Sequence, residues 1–178
     1  MQFEPLAVAG SFALRAEPVL DERGGFARIF GASDFAQRGL VSCFVQHSVS
    51  FSTRRGTVRG LHFQIAPFSE TKLVRCIRGA VFDVIVDLRP KSPTFRRWCS
   101  VELLADRRDG VYIPEGCAHG FQTLVDDCEL EYLITPEYVP SAARGVRWDD
   151  ALLAINWPIS TDITISERDR TLPSVDAL

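Results

Sequence analysis

The residues best suited to chemistry are scarce in this chain. Of 20 Lys and Arg residues only Lys72 and Lys91 are lysines, and His47, His62 and His119 are the only three histidines. An imidazole titrates near neutral pH, so it can act as a base or as a metal ligand. A lysine supplies a compact, titratable ammonium that guanidinium does not match. His62 lies in Arg59-Gly60-Leu61-His62-Phe63-Gln64, where strand alternation puts His62 and Gln64 on one face and Leu61 and Phe63 on the other. His119 lies in GVYIPEGCAHGF: a strand, a Pro-Gly turn, and a histidine opening the next strand. One histidine in a strand is ordinarily structural. Two of them, each beside a Gly-punctuated turn, balance a core role against a chemical one.

Strands must position these groups. Gly24, Gly25, Gly56, Gly60, Gly79, Pro90, Pro93, Gly110, Pro114, Gly116, Gly120, Pro136 and Pro140 break the chain at short intervals, with Val, Ile, Leu and Phe between them. The clearest strands are predicted over 72–77, 81–88, 99–104, 110–113 and 129–134. Helices are few: Ser33 is expected to cap one over 34–38, and 151–153 to form a single turn. An all-β sandwich or barrel follows, as one domain over residues 1–178. The chain is 46% apolar and 24% charged, which suits a packed core rather than disorder. A net charge of -3 argues against a nucleic-acid surface spread over the fold but leaves room for a local basic pocket. The opening MQFEPLAVAG has no basic start followed by an apolar run, and no apolar stretch approaches the ~20 residues of a bilayer span. Cys43, Cys76, Cys99, Cys117 and Cys128 are odd in number and lack CxxC spacing. They read as buried free thiols in a reducing compartment, hence a cytoplasmic protein.

The two histidine segments resemble the paired motifs of the cupin jelly roll. Gly110, Pro114, Gly116 and His119 keep the second motif; in the first, Gln64 replaces a histidine ligand and Glu70 is only loosely placed. A carboxamide is a poor ligand where a transition metal prefers imidazole or carboxylate, so no metal is expected. RGLHFQ, KLVRCIRGAVFDVIVDLRPKSPTF, YIPEGCAHGFQTL, EYLITPEYVP and RGVRWDDALLAINWP follow in order. With DERGGF before them and SERDRTLP after, residues 19–173 closely resemble the deoxythymidine-diphosphate-4-dehydrorhamnose 3,5-epimerase family.

That resemblance implies a jelly-roll subunit forming a homodimer, without metal or organic cofactor. It implies a nucleoside-diphosphate 4-keto-6-deoxyhexose as substrate, epimerised at C3, C5 or both. His62 matches the family's base, Asp169 its carboxylate partner, Lys72 the donor to the 4-keto oxygen, and Tyr132 the acid on the far face. These types belong together. Removing a proton beside a ketone makes an enolate, whose charge collects on the 4-oxygen and needs a preorganised donor. One base returns a proton only to the face it left, so inversion needs a second donor across the ring. Asp83, a carboxylate within the apolar VFDVIVD, is expected to hold the Lys72 ammonium. Arg59 and Arg23 match diphosphate ligands, a task that suits a forked guanidinium. Gln46 matches a nucleotide-sugar contact, His119 a sugar-pocket residue, and Phe26 and Tyr138 rings near the base. The resemblance also implies that Arg23 and Phe26 reach a neighbouring subunit's site.

The match has three departures. Arg28 stands where the family commonly has a Glu facing thymine; Arg only donates, which suits the acceptors of cytosine better and raises a cytidine diphosphate sugar as an alternative. His47 and Ser48 replace a common Asp-Asn pair, so inversion at both carbons is not implied. Leu133-Ile134-Thr135 replaces Lys-Thr-Thr after the tyrosine. The competing readings are a C3-only or C5-only epimerase, a non-catalytic sugar-nucleotide binder and a metal-dependent cupin. Against the binder stands the retention of His62, Lys72, Tyr132 and Asp169 together.

Overall fold

The computed structural model describes residues 1–178. Its strands are β1 (Gln2–Pro5), β2 (Phe12–Arg15), β3 (Val19–Asp21), β4 (Gly24–Phe26), β5 (Gln46–Ser52), β6 (Val58–Gln64) and β7 (Thr71–Arg78). They continue as β8 (Ala80–Asp87), β9 (Trp98–Leu104), β10 (Gly110–Ile113), β11 (Cys117–Thr123), β12 (Cys128–Thr135) and β13 (Ala143–Gly145). Two short helices, α1 (Ala32–Ala36) and α2 (Glu167–Arg170), complete the fold with two single 3-10 turns. A six-stranded antiparallel sheet, β1-β2-β10-β7-β12-β5, faces a five-stranded one, β13-β6-β11-β8-β9, in an all-β jelly roll. The hairpin β3–β4 stands apart as its own two-stranded ribbon.

The five expected strands form, each within a residue or two of its bounds. Helix α1 also forms, but Gly31 occupies its N-cap and no side chain caps it, so Ser33 lies inside the helix instead. Residues 151–153 make a turn held by Asp150, whose Oδ1 accepts from the amides of Leu152 and Leu153. Four cysteines are buried; Cys43 is exposed, contrary to expectation, because it lies in the irregular segment before β5.

The core follows from period-two alternation. Val74 and Cys76 of β7, Leu130 of β12, Val81 and Ile85 of β8, and Phe121 of β11 fill the space between the sheets. Leu61, Phe63, Val84 and Val86 point the other way and are covered by Val146, Leu153 and Val175 of the C-terminal segment. On the outside of the six-stranded sheet, α1 covers one end through Phe35, which packs with Leu14, Leu73 and Tyr112. Val49 and Phe51 of the edge strand β5 stay bare, at 51% and 71% exposure. Each large apolar side chain sealed in these layers contributes about 1.5–3 kcal/mol.

Two glycines set the spacing on which the site depends. A Cβ at Gly60, whose φ is +132°, would meet Gly120 Cα at 2.6 Å; one at Gly120 would meet Arg59 O at 2.7 Å. The strands β6 and β11 thus approach closely beside His62 and His119, which face each other in register. A register irregularity between His119 and Phe121 marks the same place.

Candidate active site

A cavity of about 400 Å³ opens between the sheets, within the range of small-molecule sites. His62 and His119 enter it from the five-stranded sheet, and Lys72 and Tyr132 from the six-stranded one. Arg59, Tyr138 and Asp169 line it too. An imidazole and a phenol therefore face one shared cavity from opposite walls.

His62 Nε2 lies 2.8 Å from Asp169 Oδ1. Asp169 is 5% exposed, and its Oδ2 accepts from the Gly60 amide at 3.1 Å. Burial works against ionisation of Asp169, but the hydrogen bond and charge of His62, joined by the Gly60 N–H, outweigh it. The carboxyl is held below its ordinary range. An ionised carboxylate only accepts, so the Nε2 proton is donated to it and Nδ1 keeps the free lone pair. The half-exposed His62 ring is thus oriented as a base. Local chemistry puts Asp169 there: Ser166 caps α2, its hydroxyl accepting from the Asp169 amide at 3.1 Å.

His119 forms a second His–Asp pair. Its Nε2–H donates to Asp83 Oδ2 at 2.8 Å, with both residues buried. The expectation that Asp83 holds the Lys72 ammonium fails. Asp83 sits on β8 of the five-stranded sheet, directly opposite Phe121 and on the same face as His119. Lys72 belongs to the other sheet, and its ammonium pairs with Glu70 Oε2 at 3.0 Å and donates to His62 O at 3.3 Å. Glu70 is the partner that the sequence reading missed. The signal was its position two residues before Lys72, on the same side of an extended chain.

Tyr132 is half-buried, and its ring meets that of His119 edge-on, with centroids 6.0 Å apart at 71°. Burial raises its phenol above the ordinary value. The Ser50 hydroxyl pulls it back, Asp83 pushes it up again, and Arg59 opposes. Arg59 is held by Ser52 Oγ and Phe51 O and has no carboxylate partner.

Other expected binding residues are not all brought together. Gln46 begins β5 and pairs in register with the cavity residue Ile134, but does not itself line the cavity. Arg23, Phe26 and Arg28 are not delivered to the cavity by their own chain. Arg23 is exposed and bonded to Asp21, and Phe26 and Arg28 border a separate cleft with Glu17, Asp34 and Arg38. The cause is the hairpin, which pairs only with itself and projects from the sandwich. Gln64 spends its amide on the backbone: Nε2 donates to Phe68 O and Glu137 O, and Oε1 accepts from the Val139 amide. No cluster of three or more His, Cys, Asp or Glu side chains assembles. Ser50, Arg144, Ser166 and Arg168 line the cavity and were not foreseen. The S-x-x-D capping pattern at Ser166–Asp169 was the legible clue to two of them, Ser166 and its neighbour Arg168.

The family described as dTDP-4-dehydrorhamnose 3,5-epimerase matches residues 5–177. A dTDP-4-dehydrorhamnose 3,5-epimerase of Sinorhizobium fredii is 42% identical over 175 residues, which cover 98% of this chain and 90% of that protein. The crystal structure of a dTDP-4-dehydrorhamnose 3,5-epimerase from Elizabethkingia anophelis superposes with a TM-score of 0.96 at 33% identity, covering 99% and 97% of the two chains. A 3'-monoepimerase from Streptomyces bikiniensis, solved with dTDP-quinovose, superposes with a TM-score of 0.90 at 35% identity, covering 97% of this chain and 87% of that one.

Proposed function

This chain belongs to the dTDP-4-dehydrorhamnose 3,5-epimerase family, and we propose the following division of labour within its cavity. It is an isomerase that epimerises a nucleotide-linked 4-keto-6-deoxyhexose in deoxysugar biosynthesis, through one catalytic domain spanning residues 1–178. His62 Nδ1 removes the proton beside the 4-keto group, and Asp169 stabilises the imidazolium that forms. The electron pair moves onto the 4-oxygen, where the Lys72 ammonium meets it. A preorganised donor of this kind is worth about 2.7–4 kcal/mol in the transition state. Tyr132 then delivers a proton to the opposite face. No cofactor enters the scheme.

One observation carries this reading: the imidazole and the phenol line a shared cavity from opposed sheets, with the ammonium beside the base. Arg59 is assigned to the diphosphate and Tyr138 to the base. The nucleotide is read as deoxythymidine diphosphate, as in the dTDP-sugar complex of the S. bikiniensis neighbour. No contact of Arg28 with the cavity favours cytidine. The working unit is read as a homodimer in the cytoplasm. Val19, Leu20 and Phe26 of the projecting hairpin are over 70% exposed, and Val49 and Phe51 are bare on the edge strand β5; each is apolar surface that a second copy would cover. The five free thiols suit a reducing compartment. No helix is long and apolar enough to cross a membrane.

The test is incubation in deuterated water with a dTDP-linked 4-keto-6-deoxyhexose, read by NMR. Deuterium at both C3 and C5 with inverted product is expected. Deuterium at C3 alone identifies a monoepimerase, and no incorporation refutes the reading.

A further inference from the structure

We propose that Gln64 is a positioning residue for the nucleotide: its buried carboxamide fixes the segment that carries Tyr138. The inference rests on the reading of Tyr138 as the ring beside the base. Gln64 ends β6, two residues after His62 and on the same face, so it borders the cavity, yet it is only 2% exposed. A polar side chain buried in this way needs partners, and this one has three. Nε2 donates to Phe68 O at 3.1 Å and to Glu137 O at 3.4 Å, and Oε1 accepts from the Val139 amide at 2.7 Å. Both amide hydrogens are spent on backbone, so Gln64 acts on a bound nucleotide through what it holds.

What it holds is the stretch between β12 and the 3-10 turn Pro140–Ala142. Residues 136–139 belong to no strand or helix. Their one backbone–backbone hydrogen bond is accepted by Val139 O from the Ala142 amide. The residues on either side of Tyr138 are therefore gripped by a single carboxamide, Glu137 through its C=O and Val139 through its N–H. Tyr138 lines the cavity but is 48% exposed, so packing holds only part of it and the backbone must place the rest. The third bond, to Phe68 O, ties the loop between β6 and β7 to the same anchor. That loop ends at Glu70, the partner of Lys72. One side chain thus braces the backbone beside the base and the backbone beside the ammonium. An apolar side chain at position 64 would leave two carbonyls and an N–H without partners, and the need to reach water would draw the Tyr138 segment away from β6.

The experiment is calorimetric titration of dTDP, and separately of inorganic pyrophosphate, into the parent and its variants. Gln64→Met keeps the length but has neither the donors nor the acceptor. It should bind dTDP about tenfold more weakly, as when one ring–base stack is lost. Pyrophosphate, which in this reading meets Arg59 but not Tyr138, should keep its affinity to within about twofold. In turnover of the dTDP-linked 4-keto sugar, the loss should appear in KM rather than kcat. Gln64→Glu, protonated in so buried a place, keeps one donor and one acceptor and should lose only about threefold; it carries the same test should Gln64→Met not fold. Tyr138→Leu should weaken dTDP as much as Gln64→Met does. Combining the two should cost no more than about a further twofold, because they act as a unit. Undiminished dTDP binding in the Gln64 variants, equal weakening of pyrophosphate, or losses that multiply in the double variant each overturn the role of Gln64 alone. Undiminished dTDP binding in Tyr138→Leu instead overturns the reading of Tyr138, and the proposal falls with it.

Discussion

Replacing Asp169 by asparagine should disable the base while leaving the fold nearly intact, and the reason lies in two hydrogen bonds. Asp169 accepts from the Gly60 amide with one oxygen and from His62 Nε2–H with the other. Asparagine has one oxygen and one amino group. Turning the amino group toward Gly60 would oppose two donors and leave a buried backbone N–H unsatisfied, at about 1–3 kcal/mol. The oxygen therefore stays on Gly60, and the amino group donates to His62 Nε2. That contact requires the proton on Nδ1, the atom that must accept from the sugar. The imidazolium also loses its counter-charge. Where a triad carboxylate is replaced in this way, kcat falls roughly 10⁴-fold, equivalent to about 5.5 kcal/mol of barrier. A loss of 10³–10⁴ in deuterium wash-in from heavy water is expected here, read by NMR on the 4-keto sugar. The thermal midpoint should move by only a few degrees. Exchange within tenfold of the parent protein would show that Asp169 does not set the tautomer.

Tyr132→Phe should retain wash-in on the His62 side yet lose inverted product, as separated by NMR of the sugar; undiminished inversion removes the phenol from its role. Lys72→Met strands the buried Glu70 carboxylate and should cost about 3–5 kcal/mol in urea unfolding. Adding Glu70→Gln should restore most of that stability but leave kcat down by about 10²–10³. Burial resists ionisation of Asp87, but Arg89, Ser92 and Thr94 overcome it and hold the carboxyl well below its usual value. A depressed carboxyl stabilises the fold above its unfolded pKa of about 3.9 and loses that contribution as pH falls toward the folded value. Asp169 and Asp150 behave likewise. Urea midpoints at pH 6 and pH 3 should therefore differ less in Asp87→Asn than in the parent; equal differences would count against the assignment. Gly120→Ala should force β6 from β11, with lost activity exceeding lost stability in parallel kinetic and melting measurements.

Much of the site was legible before any coordinates. Alternation along β6 alone puts His62 on the opposite face from Leu61 and Phe63, because side chains in an extended strand reverse at every residue. The scarcity of lysine singled out Lys72, whereas Tyr132 and Asp169 were singled out only by the resemblance to the epimerase family. The direction of a side chain from its strand and the rarity of its type are local information. Partnership was not legible. His62 and Asp169 are 107 residues apart, and only closure of the C-terminal segment over β6 joins them. Asp83 goes to His119 rather than Lys72 because β8 lies beside β11 in one sheet while Lys72 belongs to β7 in the other. Arg23, Phe26 and Arg28 are held off the cavity by a hairpin that pairs with itself. Residue identity dictates what each group can do and which way it turns from its own strand. Which charge meets which is decided by strand order and sheet stacking, and these emerge only when the whole chain buries its apolar faces at once.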